Sequence, residues 1–195
     1  MKIKGKWHYW FVVLDKETGL PVLSSLLTSL SGSATKFIAL KLKAIGKIPT
    51  VIITDGLPAY QKMFKGVIHQ VCIFHHQQGI SRFLRERFQT KEEQQKPIAE
   101  ISVTDNPARE MKKVFQTNDK RTVKRRLQKL EKEAQDLGIA DWVKQTKQKL
   151  SNLLNAVGSR RIPRTNNAIE RFFRQFNRFY KTKCGFFPLQ AQGTS

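Results

Sequence analysis

Residues 49 to 60, PTVIITDGLPAY, constrain the fold more than any other stretch. Val51, Ile52, Ile53 and Thr54 form an apolar, β-branched run, the composition of a fully buried strand, and it stops at Asp55, Gly56 and a proline-led helix start. Asp55 is thereby expected at the carboxyl end of a strand. In open α/β sheets those ends face the crevice where ligands bind, so a carboxylate there can be held rigidly and still meet a metal or substrate. Capping the helix that begins near Pro58 is the plainer reading of the same residue.

Around this strand the chain reads as α/β. Trp7 to Leu14 is almost continuously apolar, which predicts a strand covered on both faces, and Pro21 to Leu27 returns antiparallel after a turn at Lys16 to Gly19. Gly5-Lys6 marks a turn from a still earlier strand. Ser33 is expected to cap a helix with Ala34, Phe37, Ile38, Leu42 and Ile45 on its apolar side and Gly46 at its end. A short helix over Ala59 to Phe64, a strand over Val67 to Val71 and a helix over His76 to Phe88 follow.

Apolar residues thin out from Gln89 to Thr104, which predicts a linker. Asp105-Asn106-Pro107 then opens a helical unit. Its three segments carry Ala108, Met111, Val114 and Phe115; then Val123, Leu127, Leu130 and Ala134; then, after Gly138, Ile139, Trp142, Val143, Leu150, Leu153, Leu154 and Val157. Spacings of three, four and seven make these an antiparallel helical unit with basic outer faces. Trp142 belongs with that core, stacking on an unpaired base being the alternative.

The 36 Lys and Arg against 15 Asp and Glu leave a formal charge of +21, spread along the chain. An excess of that size repels itself unless a polyanion neutralises it, so nucleic acid is the expected partner. Lys120, Arg121, Lys124, Arg125, Arg126 and Lys129 form the densest strip, read as a phosphate-contacting face or a solvated one. No basic amphipathic helix offers a clean lipid-facing side, and no span reaches the roughly 18 apolar residues of a membrane helix. Cys72 and Cys184 sit far apart in unlike contexts, without a disulfide framework, and the basic, apolar start lacks the small-residue cleavage site of a signal peptide. A reducing, cytoplasmic setting is expected.

Ser159 to Asn167, SRRIPRTNN, is a basic loop leading into the last helix. On that helix Ile169, Phe172, Phe173, Phe176 and Tyr180 share one stripe, and Arg171, Arg174, Arg178 and Lys181 another. Glu170 lies at the seam between them, either as a functional acid or as an i, i+4 partner of Arg174. Two carboxylates from distant parts of a basic chain suit Mg²⁺ or Mn²⁺ and metal-assisted phosphoryl transfer on DNA, by a nuclease or a strand-transfer enzyme.

Four ordered motifs sharpen this. KIKGKWHYWFVVLDKETGLPVL, TDGLPAY, HQVCIFHHQQGI and TNNAIERFFRQFNRFYKTKCGF together resemble the DDE-type transposases of prokaryotic insertion sequences over essentially the whole chain. The resemblance implies an RNase H-like mixed sheet with flanking helices and an all-α insertion between the second aspartate and the glutamate. The core would occupy residues 1–90 and 159–195 and the insertion residues 91–158. Asp55 then resembles the second metal-binding aspartate and Glu170 the glutamate, with Mg²⁺ or Mn²⁺ as cofactor.

The family's first aspartate precedes the segment matched by Lys2 to Trp7, so this chain is expected to be an N-terminally shortened form; Asp15 is weighed as its substitute. By the same resemblance Arg160, Arg161, Arg164, Arg171, Arg174 and Lys181 contact phosphate, Asn166 and Asn167 shape the start of the glutamate's helix, and Asn177 stands where many relatives carry Lys or Arg. Cys72 and His75 match a Cys-x-x-His pair. A zinc site with His69 and His76 would need awkward geometry, so a buried Cys72 and a hydrogen-bonded His75 are expected. Double-stranded DNA, a dimer or larger assembly and nucleoid association follow from the resemblance, the alternative function being a catalytically inactive DNA-binding remnant or competitor.

Overall fold

Backbone pairing at the start of the chain changes partner at His8. In a computed structural model, which describes residues 2–3, 6–61, 63–64, 66–87 and 107–182, β1 (Lys2–Ile3) pairs antiparallel with β2 (Lys6–Trp7). From Tyr9 onward, β3 (Tyr9–Leu14) pairs antiparallel with β4 (Pro21–Leu27), from Tyr9 opposite Leu27 to Val13 opposite Leu23, with a slip before Leu14. The single strand expected over Trp7 to Leu14 is therefore two. It is also not covered on both faces, since Tyr9 is exposed and Trp10 to Leu14 are half-buried. Asp15 closes the hairpin: its Oδ1 accepts from the backbone N–H of Glu17 (2.9 Å) and Thr18 (2.8 Å) and from the Thr18 hydroxyl (3.1 Å).

The chain divides into two compact units, Met1–Thr28 with Asn166–Ser195, and Ser29–Thr165. In the first, the last helix, α8 (Asn167–Thr182), lays its aromatic stripe against β3. The Trp10 ring meets Phe172, Phe173 and Phe176 at centroid distances of 5.7, 5.5 and 4.2 Å, and its Nε1 donates to Ser24 Oγ at 2.7 Å.

In the second unit, α1 (Gly32–Ala44) is capped by Ser31, whose Oγ accepts from Ala34 N, and not by Ser33. Its core side is Thr35, Ile38 and Leu42, while Phe37 and Ile45 are about half exposed. Thr35 is buried because its hydroxyl reaches the carbonyls of Gly32 (3.0 Å) and Ala59 (3.1 Å), tying α1 to α2 (Pro58–Gln61). The strand expected from Val51 forms as β5 (Val51–Thr54) and pairs in parallel with β6 (Ile68–Val71), Thr54 lying opposite Val71. Helix α3 (Ile73–Arg87) starts three residues before His76, and its first N–H, on Ile73, donates to Arg164 O at 2.9 Å.

The helices α4 (Pro107–Lys113), α5 (Lys120–Lys132), α6 (Ala140–Gln148) and α7 (Leu150–Leu154) keep the predicted apolar spacing, but the expected third segment is two helices that meet at Lys149. Met111, Val114, Phe115, Val123, Leu127, Leu130, Ile139, Trp142, Val143 and Leu153 are buried in one cluster that also takes in Val71, Ile73 and Ile80. Two side chains hook the turn just after α7 to β6: buried Gln70 accepts Ala156 N–H on Oε1 (2.7 Å), and Asn155 Nδ2 donates to His69 O (2.9 Å). The linker over 89–104, Asp105, Asn106 and Cys184 lie outside the described residues.

Candidate active site

Asp55 follows directly on β5 and is exposed. Its Oδ1 accepts from Leu57 N–H at 3.2 Å, so the carboxylate shapes the turn before α2, whereas the capping reading expects it to bond a first-turn N–H of the helix itself. Gly56 makes that turn possible. Its φ is +88°, and a Cβ there would lie 3.0 Å from Val71 Cγ1, so a side chain is opposed by both backbone and neighbour.

Behind Asp55 the ladder is pinned by Thr54. Its carbonyl accepts Cys72 N–H at 2.7 Å, and its Oγ1 accepts Gly56 N–H at 3.1 Å and lies 2.7 Å from His69 Nε2. Burial lowers the His69 pKa below the ordinary histidine value, with the nearby Asp55 charge opposing the shift. Tyr60 is pushed up by burial first and by Asp55 second. Both are rings against which the Asp55 field is felt, and for His69 burial outweighs it. Neither was singled out by sequence as a neighbour of Asp55, since that proximity arises across the turn and the parallel pair.

Cys72 is fully buried and His75 half-buried. His69 turns to Thr54, and His76 Nε2 lies 3.1 Å from Thr146 Oγ1 with its ring stacked on buried Trp142 at 5.3 Å. Among the described residues no group of three or more His, Cys, Asp or Glu side chains is placed to hold a metal ion. The donors Asp55 presents are carboxylate oxygens, one of them oriented by a backbone N–H and the group open to solvent, which suits a hard divalent cation such as Mg²⁺ or Mn²⁺ better than zinc.

The basic loop before α8 is built, not slack. Ser159 Oγ accepts from Arg161 N–H (3.2 Å) and Ile162 N–H (3.0 Å). Gly158, at φ +75°, passes so close to Asn118 that a Cβ would sit 2.6 Å from its carbonyl oxygen. Arg160 and Arg161 are exposed. Arg164 faces inward: Nη1 donates to Phe115 O at 3.1 Å, and Nη2 donates to Thr117 O and to Asn118 Oδ1 (2.8 Å).

In the other unit, Glu170 is half-buried in the first turn of α8, where helix-end N–H groups favour an anion. Asn166 O accepts Ile169 N–H at 3.0 Å and Glu170 N–H at 3.5 Å, starting the helix; Asn166 is half-buried and Asn167 exposed. Arg171, Arg174, Arg178 and Lys181 are exposed, as is Asn177.

The class this α/β chain belongs to is shown by a family model: it is a DDE-type transposase of insertion sequences. Within it, the chain belongs to the IS66 family of transposases, whose family model matches residues 2–191. No curated protein and no solved structure matches it. Membership implies DNA as the class of partner. No helix among the described residues is long and apolar enough to cross a membrane.

Proposed function

We propose that this chain supplies catalytic residues for metal-dependent strand cleavage and strand transfer at the ends of an insertion element. The observation that carries the reading is the exposed Asp55 carboxylate at the end of β5, oriented through one oxygen by Leu57 N–H. Asp55 and Glu170 would hold Mg²⁺ or Mn²⁺. When bound, a pair of such ions activates the attacking oxygen and stabilises the leaving one. The chain's own residues position the DNA: Arg160, Arg161, Arg171, Arg174 and Lys181 contact phosphate, Asn166 and Asn167 set the start of the glutamate's helix, and Arg164 holds the loop between them. The fold on this reading is RNase H-like, with the helices of residues 91–158 inserted between its two acids, and the enzyme works on two DNA ends as a dimer or larger assembly.

The test is Mn²⁺-dependent nicking and strand transfer on a duplex that ends in the element's own terminus. Asp55→Asn and Glu170→Gln are each expected to lower product formation by at least about a hundredfold while leaving duplex binding intact. Product that survives both substitutions overturns the assignment. A second reading, DNA binding without catalysis, is favoured by Asp15, the acid weighed as a further ligand, whose Oδ1 serves the hairpin turn. It predicts duplex binding with no product from the unsubstituted chain.

A further inference from the structure

Helix α5 carries its cations where helix stability does not ask for them. Val123, Leu127 and Leu130 bury one side, and Asp119 caps the N-terminus through Arg121 N–H (3.0 Å) and Thr122 N–H (2.9 Å). The first turns then hold Lys120, Arg121, Lys124 and Arg125, with no acid in the first turn, although the positive end of the helix macrodipole disfavours cations there. A local choice that opposes local stability points to a role outside the helix.

All four side chains are exposed, as is Lys132 near the other end. At about 100° per residue they occupy a single half of the helix, and they span about 18 Å along its axis. Arg126, one residue beyond this arc, turns away to donate to Lys113 O (2.6 Å) and Gln116 O (3.1 Å), so it is not part of the outer strip. The one acid inside the helix's outer surface, Glu131, is engaged by Lys147 at 2.6 Å. Lys120, Lys124, Arg125 and Lys132 have no salt bridge among the described residues.

We infer that this face of α5 is a docking surface for the phosphate backbone of duplex DNA. The inference rests on the reading of the chain as a DNA-acting protein. Its occupant follows from the side chains. No aromatic residue lies on α5 to stack an unpaired base, so a single strand is not what the face fits. Cations spread over about 18 Å match a duplex, which carries about one phosphate charge per 1.7 Å of axis. Gln128 is the only amide on the helix and the face is otherwise Lys and Arg, which suits phosphate contact that is independent of base sequence.

The experiment measures binding of the full chain to two unrelated 20-base-pair duplexes and to a single strand by fluorescence anisotropy between 50 and 200 mM KCl. Replacing Lys120, Arg121, Lys124 and Arg125 together by Gln keeps helix propensity, and far-UV circular dichroism checks that the fold survives. A control replaces exposed Lys16, Lys36, Lys43 and Lys47 by Gln, removing equal charge elsewhere. The α5 variant is expected to flatten the log–log salt slope by about three to four, equally for both duplexes, and to weaken binding at least about tenfold at 100 mM salt. The control should change the slope by less than about one. Equal slopes for the α5 variant and the control overturn the α5 assignment alone, as does a loss confined to the single strand. Failure of the unsubstituted chain to bind duplex at all overturns the DNA-acting reading with it.

Discussion

His76 shows what a single largely enclosed titratable group does to this protein. Burial, and secondarily the positive charge of Lys149, pushes its pKa down to about 4. The unfolded chain's histidine titrates near 6.5, so between the two values the unfolded state binds the extra proton. Stability from this group is complete above pH 6.5 and is lost as pH falls toward 4, by at most about 3 kcal/mol. His69, lowered by burial, adds a loss of the same sign. Urea midpoints at pH 7.5, 6 and 5 should therefore fall steadily, and His76→Gln should flatten the profile while costing stability at pH 7.5. A profile as steep in the variant as in the parent would place the acid sensitivity elsewhere.

At the scale of elements, the end of α4 is held by two arginines from other parts of the chain. Arg126 takes Lys113 O and Gln116 O, and Arg164 takes Phe115 O and Thr117 O. Helix ends leave carbonyls without partners, and a guanidinium fork can serve several at once. The Arg164 carbonyl in turn receives Ile73 N–H, so one residue joins the turn after α4, the start of α3 and the loop that runs into α8. Arg164→Met should destabilise the chain by about 2–4 kcal/mol in chemical unfolding. Arg164→Lys should recover less than half of this, because a point charge cannot span the same acceptors. Full recovery by Lys would mean that charge alone matters.

For the whole molecule the governing quantity is the +21 charge. Ion pairs such as Lys113–Glu110, Lys129–Glu133 and Lys147–Glu131 form, but 15 acids cannot match 36 cations. A polyanion that binds the folded chain then relieves repulsion and adds binding energy to folding. Heparin at about a hundred times its Kd is expected to raise Tm by about 5–10 °C. Sodium chloride of equal ionic strength should raise it less, and an unchanged Tm at saturating heparin would show that the excess charge is not gathered on a binding surface.

Much of this was legible in the residues, and the reason is locality. The faces of α4, α5, α6 and α7 were set by three-and-four spacing, and Met111, Val114, Val123, Leu127, Leu130, Trp142 and Leu153 are buried as that spacing predicts. The β-branched run before Asp55 made a strand, and the aromatic stripe of α8 met Trp10, because strand and helix periodicity are written in neighbouring residues. Periodicity states which residues share a face and not whether anything covers it. Only the tertiary structure decided that Thr35 is buried while Phe37 is half exposed, and that Ser31 takes the cap. The same holds for polar partners: Gln70 and Ala156, His76 and Thr146, and Arg164 and Phe115 are far apart in sequence. A side chain's donors are known from its identity, but the acceptor it meets is chosen by the packing of distant backbone. Arg164 therefore reads as one more cation of a basic loop until the fold brings it the carbonyls that follow α4.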